Sequence, residues 1–136
     1  MQRWQALVLI GCGGGLYVLI ELLYRGRSHI SMFLTGGICF WAIGMLNELW
    51  PGVPLSIQAV LGGAMIVAAE FATGLIVNRW LGLGVWDYSG AAHNVLGQIC
   101  LPFAAWWAVL AAGAAIADDL LRLALFGQAL RPVVFL

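Results

Sequence analysis

Read for its alternation of apolar and polar positions, the chain resolves into four long apolar runs separated by short breaks. The runs cover about residues 5–24, 30–49, 56–77 and 93–116, each near the roughly 20 residues a helix needs to cross a hydrocarbon core about 30 Å thick. Trp50-Pro51-Gly52-Val53-Pro54 breaks the helical pattern twice and predicts a tight turn between the second and third runs. Residues 78–92 are too glycine-rich and polar to span and read as an interfacial connector anchored by Trp80, Trp86 and Tyr88. After the fourth run, Asp118-Asp119 suit the positive end of a new helix dipole. Residues 118–127 then predict a short interfacial helix ending at Gly127. The pattern as a whole predicts an all-α polytopic membrane protein: four transmembrane helices in a bundle plus a short C-terminal interfacial helix, in one membrane domain over residues 1–136.

Small residues recur along rows of four-residue spacing within the runs, as at Gly11 and Gly15, at Gly36 and Gly44 with Phe40 between them, and at Ala104, Ala108 and Ala112. Such rows let helix backbones approach closely where lipid offers no hydrophobic incentive to associate. Close packing within one bundle, or between copies in a homo-oligomer, is the expectation.

Composition sharpens the membrane assignment. The chain is 63% hydrophobic and 9% charged, against roughly 25% charged residues in a soluble domain. The six basic residues are all arginine, balanced by six acids, and no basic run exists, which excludes nucleic acid as a partner. Four spans would put Arg3, Arg122 and Arg131 on one side and Arg25, Arg27 and Arg79 on the other, so charge sets no orientation. Cys12, Cys39 and Cys100 lie inside apolar runs at spacings that match neither a zinc nor a redox pattern. His29 and His93 lack carboxylate or cysteine neighbours at ligand spacing, so no metal site and no cofactor is expected.

Sorting the polar residues by depth is more informative. The side that holds the first and third loops receives Glu21, Tyr24, Arg25, Ser28, His29, Glu70, Thr73, Asn78, Asp87, Tyr88, His93, Asn94 and Gln98. The other receives Asn47, Glu48 and Gln58 near its turn. A polar cavity open toward one side of the membrane is the expectation. Glu21 precedes Arg25 by one helical turn, the favourable order for an ion pair. Glu70 lies within a span, where an unpaired carboxylate costs on the order of 3 kcal/mol. It should therefore be protonated, hydrogen-bonded or paired, with Arg25 the expected partner. Asn94 and Gln98 should share one face of the fourth helix. Without lysine no G-x-x-x-x-G-K-[ST] loop can exist, so this chain does not hydrolyse ATP, and neither G-x-S-x-G nor H-E-x-x-H occurs.

Several segments carry a resemblance: Tyr24-Arg25-Gly26-Arg27-Ser28-His29-Ile30-Ser31-Met32, Asn47-Glu48, Glu70-Phe71-Ala72-Thr73-Gly74, Val85-Trp86-Asp87-Tyr88-Ser89 and Asn94-Val95-Leu96-Gly97-Gln98-Ile99-Cys100-Leu101. Together they resemble the putative ABC-transporter type IV family (CmpB-like small integral membrane proteins), over about residues 20–130. Ala91-Ala92 departs from it where a proline is expected before the asparagine. The resemblance places the family's polar signature on Arg25, His29, Glu48, Glu70, Asn78, Trp86, Asp87, Asn94 and Gln98. It implies a small multi-pass integral membrane protein with a transporter label and no established substrate. Joined to the depth sorting, it gives the expectation of a transport component of the cell (inner) membrane that binds a small ligand or ion in a polar intramembrane pocket. Arg25 and Glu70 would be the ligand pair, with Trp86 and Asp87 at the cavity mouth. The alternative is a structural or accessory subunit docked on other membrane subunits. An intramembrane enzyme using Glu70 and His29 as acid and base is a minor one.

Overall fold

A computed structural model describes residues 1–130 and 132–135. Four helices follow in order: α1 (Arg3–Arg25), α2 (Ile30–Leu49), α3 (Leu55–Gly74) and α4 (Leu101–Phe126). The α3 helix continues without a break through one π-helical turn, Leu75–Trp80. No strand forms among the described residues; Val95 and Ile99 make one isolated antiparallel bridge. Among the described residues three helices are long and apolar enough to cross a membrane: α1, α2, and α3 together with its π turn. Their outward faces carry Leu7, Leu23, Leu34 and Val60 without protein cover, the surface a lipid bilayer requires. The chain is a multi-pass membrane protein.

Local chemistry sets the helix ends. Gly26 adopts φ 72°, a left-handed cap that stops α1 and donates its N–H to Leu22 O. His29 caps α2, its ring accepting from Ser31 N–H. Pro54 precedes the first residue of α3, and Pro102 sits in the first turn of α4, where a missing N–H costs nothing.

Packing follows glycines more closely than the four-residue rows suggest. Gly11 and Gly15 face open space, whereas Gly13 and Gly14 seat Phe40 and Phe33 of α2. Gly36 and Gly37 return the favour for Tyr17 and Ile10 of α1. On the other side Gly62 and Gly63 of α3 rest on Ala111 and Ala108 of α4. The bundle is thus two antiparallel hairpins, α1/α2 and α3/α4, joined through α2, while α1 and α4 barely touch.

Two expected elements are corrected. The fourth helix begins at Leu101, not near His93, because residues 93–100 fold into the connector: His93 and Leu96 take left-handed φ values of 53° and 54°. No separate interfacial helix spans 118–127. Asp118 and Asp119 lie inside α4, which runs unbroken to its Gly127 cap. Asp118 does not start a helix; it is fully buried and bonded to Arg122 one turn later, at 2.7 Å. Arg131, counted above toward one side of the membrane, lies outside the described residues.

Candidate functional site

Where α1 and α4 part, a cavity of about 760 Å³ opens, with α2 and α3 behind it and the connector at its end. Three side chains with charge line it: Glu21, Arg25 and Glu70. The rest of the wall is aromatic and aliphatic, with Tyr17, Tyr24, Trp86, Tyr88, Phe103, Trp106 and Trp107 contributing seven rings.

Glu70 is the centre of this wall. It is 4% exposed, and each of its oxygens accepts one hydrogen bond. Tyr88 Oη donates to Oε1 at 2.9 Å and Trp107 Nε1 donates to Oε2 at 2.7 Å. Donors on both oxygens are the pattern that suits an ionised carboxyl group. Burial, and then the neighbouring carboxylate, raise the Tyr88 phenol above the ordinary tyrosine range, so Tyr88 stays a donor. The expected Glu70–Arg25 pair is therefore corrected. Arg25 Nε lies 2.8 Å from Glu21 Oε2, and its Nη2 donates to Val85 O at 3.1 Å. One turn of a single helix satisfies this charge pair locally, which leaves Arg25 on the cavity wall but committed elsewhere.

The rings around Glu70 form a continuous chain. Phe103 stacks on Tyr88 (5.0 Å between centroids, 19°) and leans on Trp107 at 5.7 Å. Trp107 in turn meets Tyr17 at 6.2 Å, and Tyr24 meets Phe103 edge-on at 6.4 Å. A second, smaller and apolar cavity of about 230 Å³ shares Glu70 and Trp107 with the first and extends past Gly113 to Ala117.

The remaining predicted residues are drawn into structure. Asn78, on the π turn, donates to Gln98 Oε1 at 2.8 Å and accepts from Val85 N–H at 2.6 Å. Gln98 Nε2 donates to Leu96 O, and Trp86 Nε1 donates to Gln98 O at 3.0 Å. This knot fixes the connector against the end of α3, where Gly74 leaves room for the Gln98 side chain. Asn94 bonds Ser89 O, Ala91 O and Gly97 N–H, so it organises a loop and shares no helix face with Gln98. Asp87 is exposed; the Ser89 N–H at 2.9 Å holds its carboxyl below the usual aspartate range. His29 is engaged with Ser31 as a helix cap, and the α1 helix does not persist to carry it into the Glu21–Arg25 row. Of the nine predicted residues, Arg25, Glu70 and Trp86 line the large cavity.

Glu48 lies at the far end of the bundle, in a second polar cluster that the depth sorting underestimates. Arg122 is 2% exposed and bonds Asp118, with Glu48 Oε1 3.8 Å from its Nη1. Asn47 donates to Asp119 at 3.1 Å, and Gln128 donates to Glu48 at 2.8 Å. Gly44 makes this possible, since a Cβ there would lie 2.3 Å from the Asp118 carboxyl. Buried polar groups therefore occupy both ends of the bundle, and the one-sided distribution is corrected. Among the described residues no cluster of His, Cys, Asp and Glu could hold a metal ion.

Sequence reasoning missed Tyr17, Phe103 and Trp107, which make most of the wall around Glu70. Their one signal is Trp106-Trp107 lying inside an apolar run, away from the interfacial belt where tryptophan usually sits. The model of a family described as putative ABC-transporter type IV matches residues 9–120. Neither a curated protein nor a solved structure matches the chain.

Proposed function

The chain belongs to the putative ABC-transporter type IV family, and on that premise we propose that it is a transport component of the cell (inner) membrane that binds a small ligand in the Glu70 cavity. The observation that carries this reading is a buried carboxylate whose two partners, Tyr88 and Trp107, are both uncharged, set into the wall of a cavity of about 760 Å³. A carboxylate kept inside a membrane without a countercharge on its own partners is an expensive arrangement, and such groups mark substrate and ion pathways. α4 completes the bundle as a fourth span, and the gap between α1 and α4 is the entrance. A separate partner would supply energy, because this chain carries no phosphate-binding loop.

In this reading Arg25 and Trp86 shape the mouth of the cavity. Asn78, Asn94 and Gln98 hold the connector that closes it, and Asp87 stabilises a turn of that connector. His29 and Glu48 position helix ends and take no direct part. The acid–base set of an intramembrane enzyme is not assembled, since the Glu70 oxygens and the His29 ring are engaged with different partners. The test is ligand-dependent thermal stabilisation of the purified protein across a panel of neutral, anionic and cationic solutes. At least one compound should stabilise the wild type and lose its effect in Glu70→Gln. A panel in which every stabilising compound acts equally on the variant refutes the proposal.

A further inference from the structure

The class of ligand can be narrowed, on the premise that the Glu70 cavity is the binding site. Negative charge is in excess at its wall: Glu21 and Arg25 offset each other, and Glu70 is held by neutral donors. The rings that hold Glu70 belong to a connected aromatic surface, Tyr17–Trp107–Phe103–Tyr88, and aromatic faces attract cations electrostatically. Each Glu70 oxygen already accepts one hydrogen bond, which leaves one lone-pair site on each for a further donor, whereas the ring faces that surround it attract a cation without needing any donor. A head without donors, held by field and by ring faces, fits this wall.

The smaller cavity adds a second requirement. It shares Tyr17, Ile20, Met32, Glu70, Trp107 and Leu110 with the larger one, so the two meet at Glu70. From Trp107 it follows α4 to Ala117, ten residues and therefore about 15 Å at 1.5 Å per residue. Its volume of about 230 Å³ and its apolar lining suit one hydrocarbon chain and not two. The loose α1–α4 contact places the entrance on the lipid-facing side, where an amphiphile would arrive.

We infer that the cavity takes a single-chain amphipathic organic cation, with a quaternary-ammonium head against Glu70 and the aromatic wall and its tail in the apolar slot. The test titrates dodecyltrimethylammonium into the full chain in neutral maltoside micelles, read by tryptophan fluorescence. Dodecyl sulfate supplies the same tail with opposite charge, and tetramethylammonium the same head without a tail. The cationic amphiphile should bind saturably, and both comparators at least tenfold more weakly, on the order of the 1.4 kcal/mol that separates a decade of affinity. Glu70→Gln should weaken the cation on the order of tenfold while leaving the circular dichroism spectrum unchanged. If that variant does not fold, Phe103→Leu, which removes a ring and no charge, should weaken the cation and not dodecyl sulfate. Phosphatidylcholine, with the same head on two chains, should not displace the probe.

Absence of saturable binding by the cation, equal binding of dodecyl sulfate, or displacement by phosphatidylcholine overturns the inference. A neutral or anionic compound that stabilises the protein through Glu70 would overturn the cation class alone and leave the cavity as the binding site.

Discussion

The hydrogen bond from Trp107 to Glu70 gives a quantitative handle on the site. At 2.7 Å it is shorter than the usual N–H···O distance of about 2.9–3.0 Å and falls in the range of bonds to ionised acceptors. A bond to a charged group contributes about 1.5–3 kcal/mol, whereas interhelical bonds in membrane proteins average about 0.6 kcal/mol. Trp107→Phe removes the donor and part of the ring; Glu70→Leu removes the acceptor. Each single change also alters packing and, for Glu70→Leu, strands Tyr88, so neither alone measures the bond. The double-mutant cycle cancels those effects. A coupling of about 1.5–3 kcal/mol is expected if the acceptor is a carboxylate, measured by unfolding in mixed micelles followed by circular dichroism. Additivity of the two changes within about 0.3–0.5 kcal/mol would mean that Glu70 and Trp107 do not act together, and would remove the basis for the site.

Other expectations follow from particular positions. Gly63→Ala drives a Cβ to within 2.9–3.1 Å of Ala108 and should destabilise the α3/α4 hairpin by about 1–3 kcal/mol; Gly15→Ala, in open space on α1, should instead stabilise by roughly 0.5–1 kcal/mol. Thermal unfolding of the two variants side by side would refute the packing scheme if the order reversed. Arg122→Met leaves the fully buried Asp118 without its partner and should cost about 3–5 kcal/mol, while Asp118→Leu with Arg122→Met should recover most of that loss; a double variant no more stable than the single one would refute it. Asp87 has a lowered folded pKa, so its turn with Ser89 is intact above the ordinary aspartate range and lost as pH falls through the lower folded value. Carbon-detected NMR of the Asp87 carboxyl should titrate below about 3.9, and a midpoint at or above that figure would refute the assignment.

The helices were legible because lipid imposes a single demand on twenty consecutive residues, and α2 runs from Ile30 to Leu49 as the pattern alone requires. Glu70 was legible for the same reason, since a carboxylate amid apolar residues stands out. Its partners were not. Tyr88 reads as a belt aromatic, because a phenol serves equally as membrane anchor and as hydrogen-bond donor, and Trp107 passes as one more apolar residue of its run; only the fold assigns both to Glu70. Arg25 was the obvious countercharge at long range, but an acid one turn away on its own helix is always within reach. The Asp118–Arg122 pair shows the reverse failure. Two adjacent acids look like a helix start until the glycine that seats one of them, Gly44, is known to lie on a neighbouring helix. Asn94 and Gln98, four apart, suggested one helical face; their local hydrogen bonds to backbone built a loop in its place.

The arrangement as two hairpins has a bearing on how the chain enters the membrane. The first hairpin holds itself together: Gly13, Gly14, Gly36 and Gly37 seat α1 and α2 on each other, leaving Gly44 for the other half, and its deep acid Glu21 carries its own arginine. The second does not. Glu70 emerges from the ribosome well before either Tyr88 or Trp107, so a nascent chain holds a bare carboxylate at membrane depth until α4 follows. Asp118 brings Arg122 four residues later, but finds its seat at Gly44 only when the two halves join. Biogenesis is therefore ordered from the N-terminus. The early half serves as a template, and the late half becomes tolerable to lipid only on docking against it.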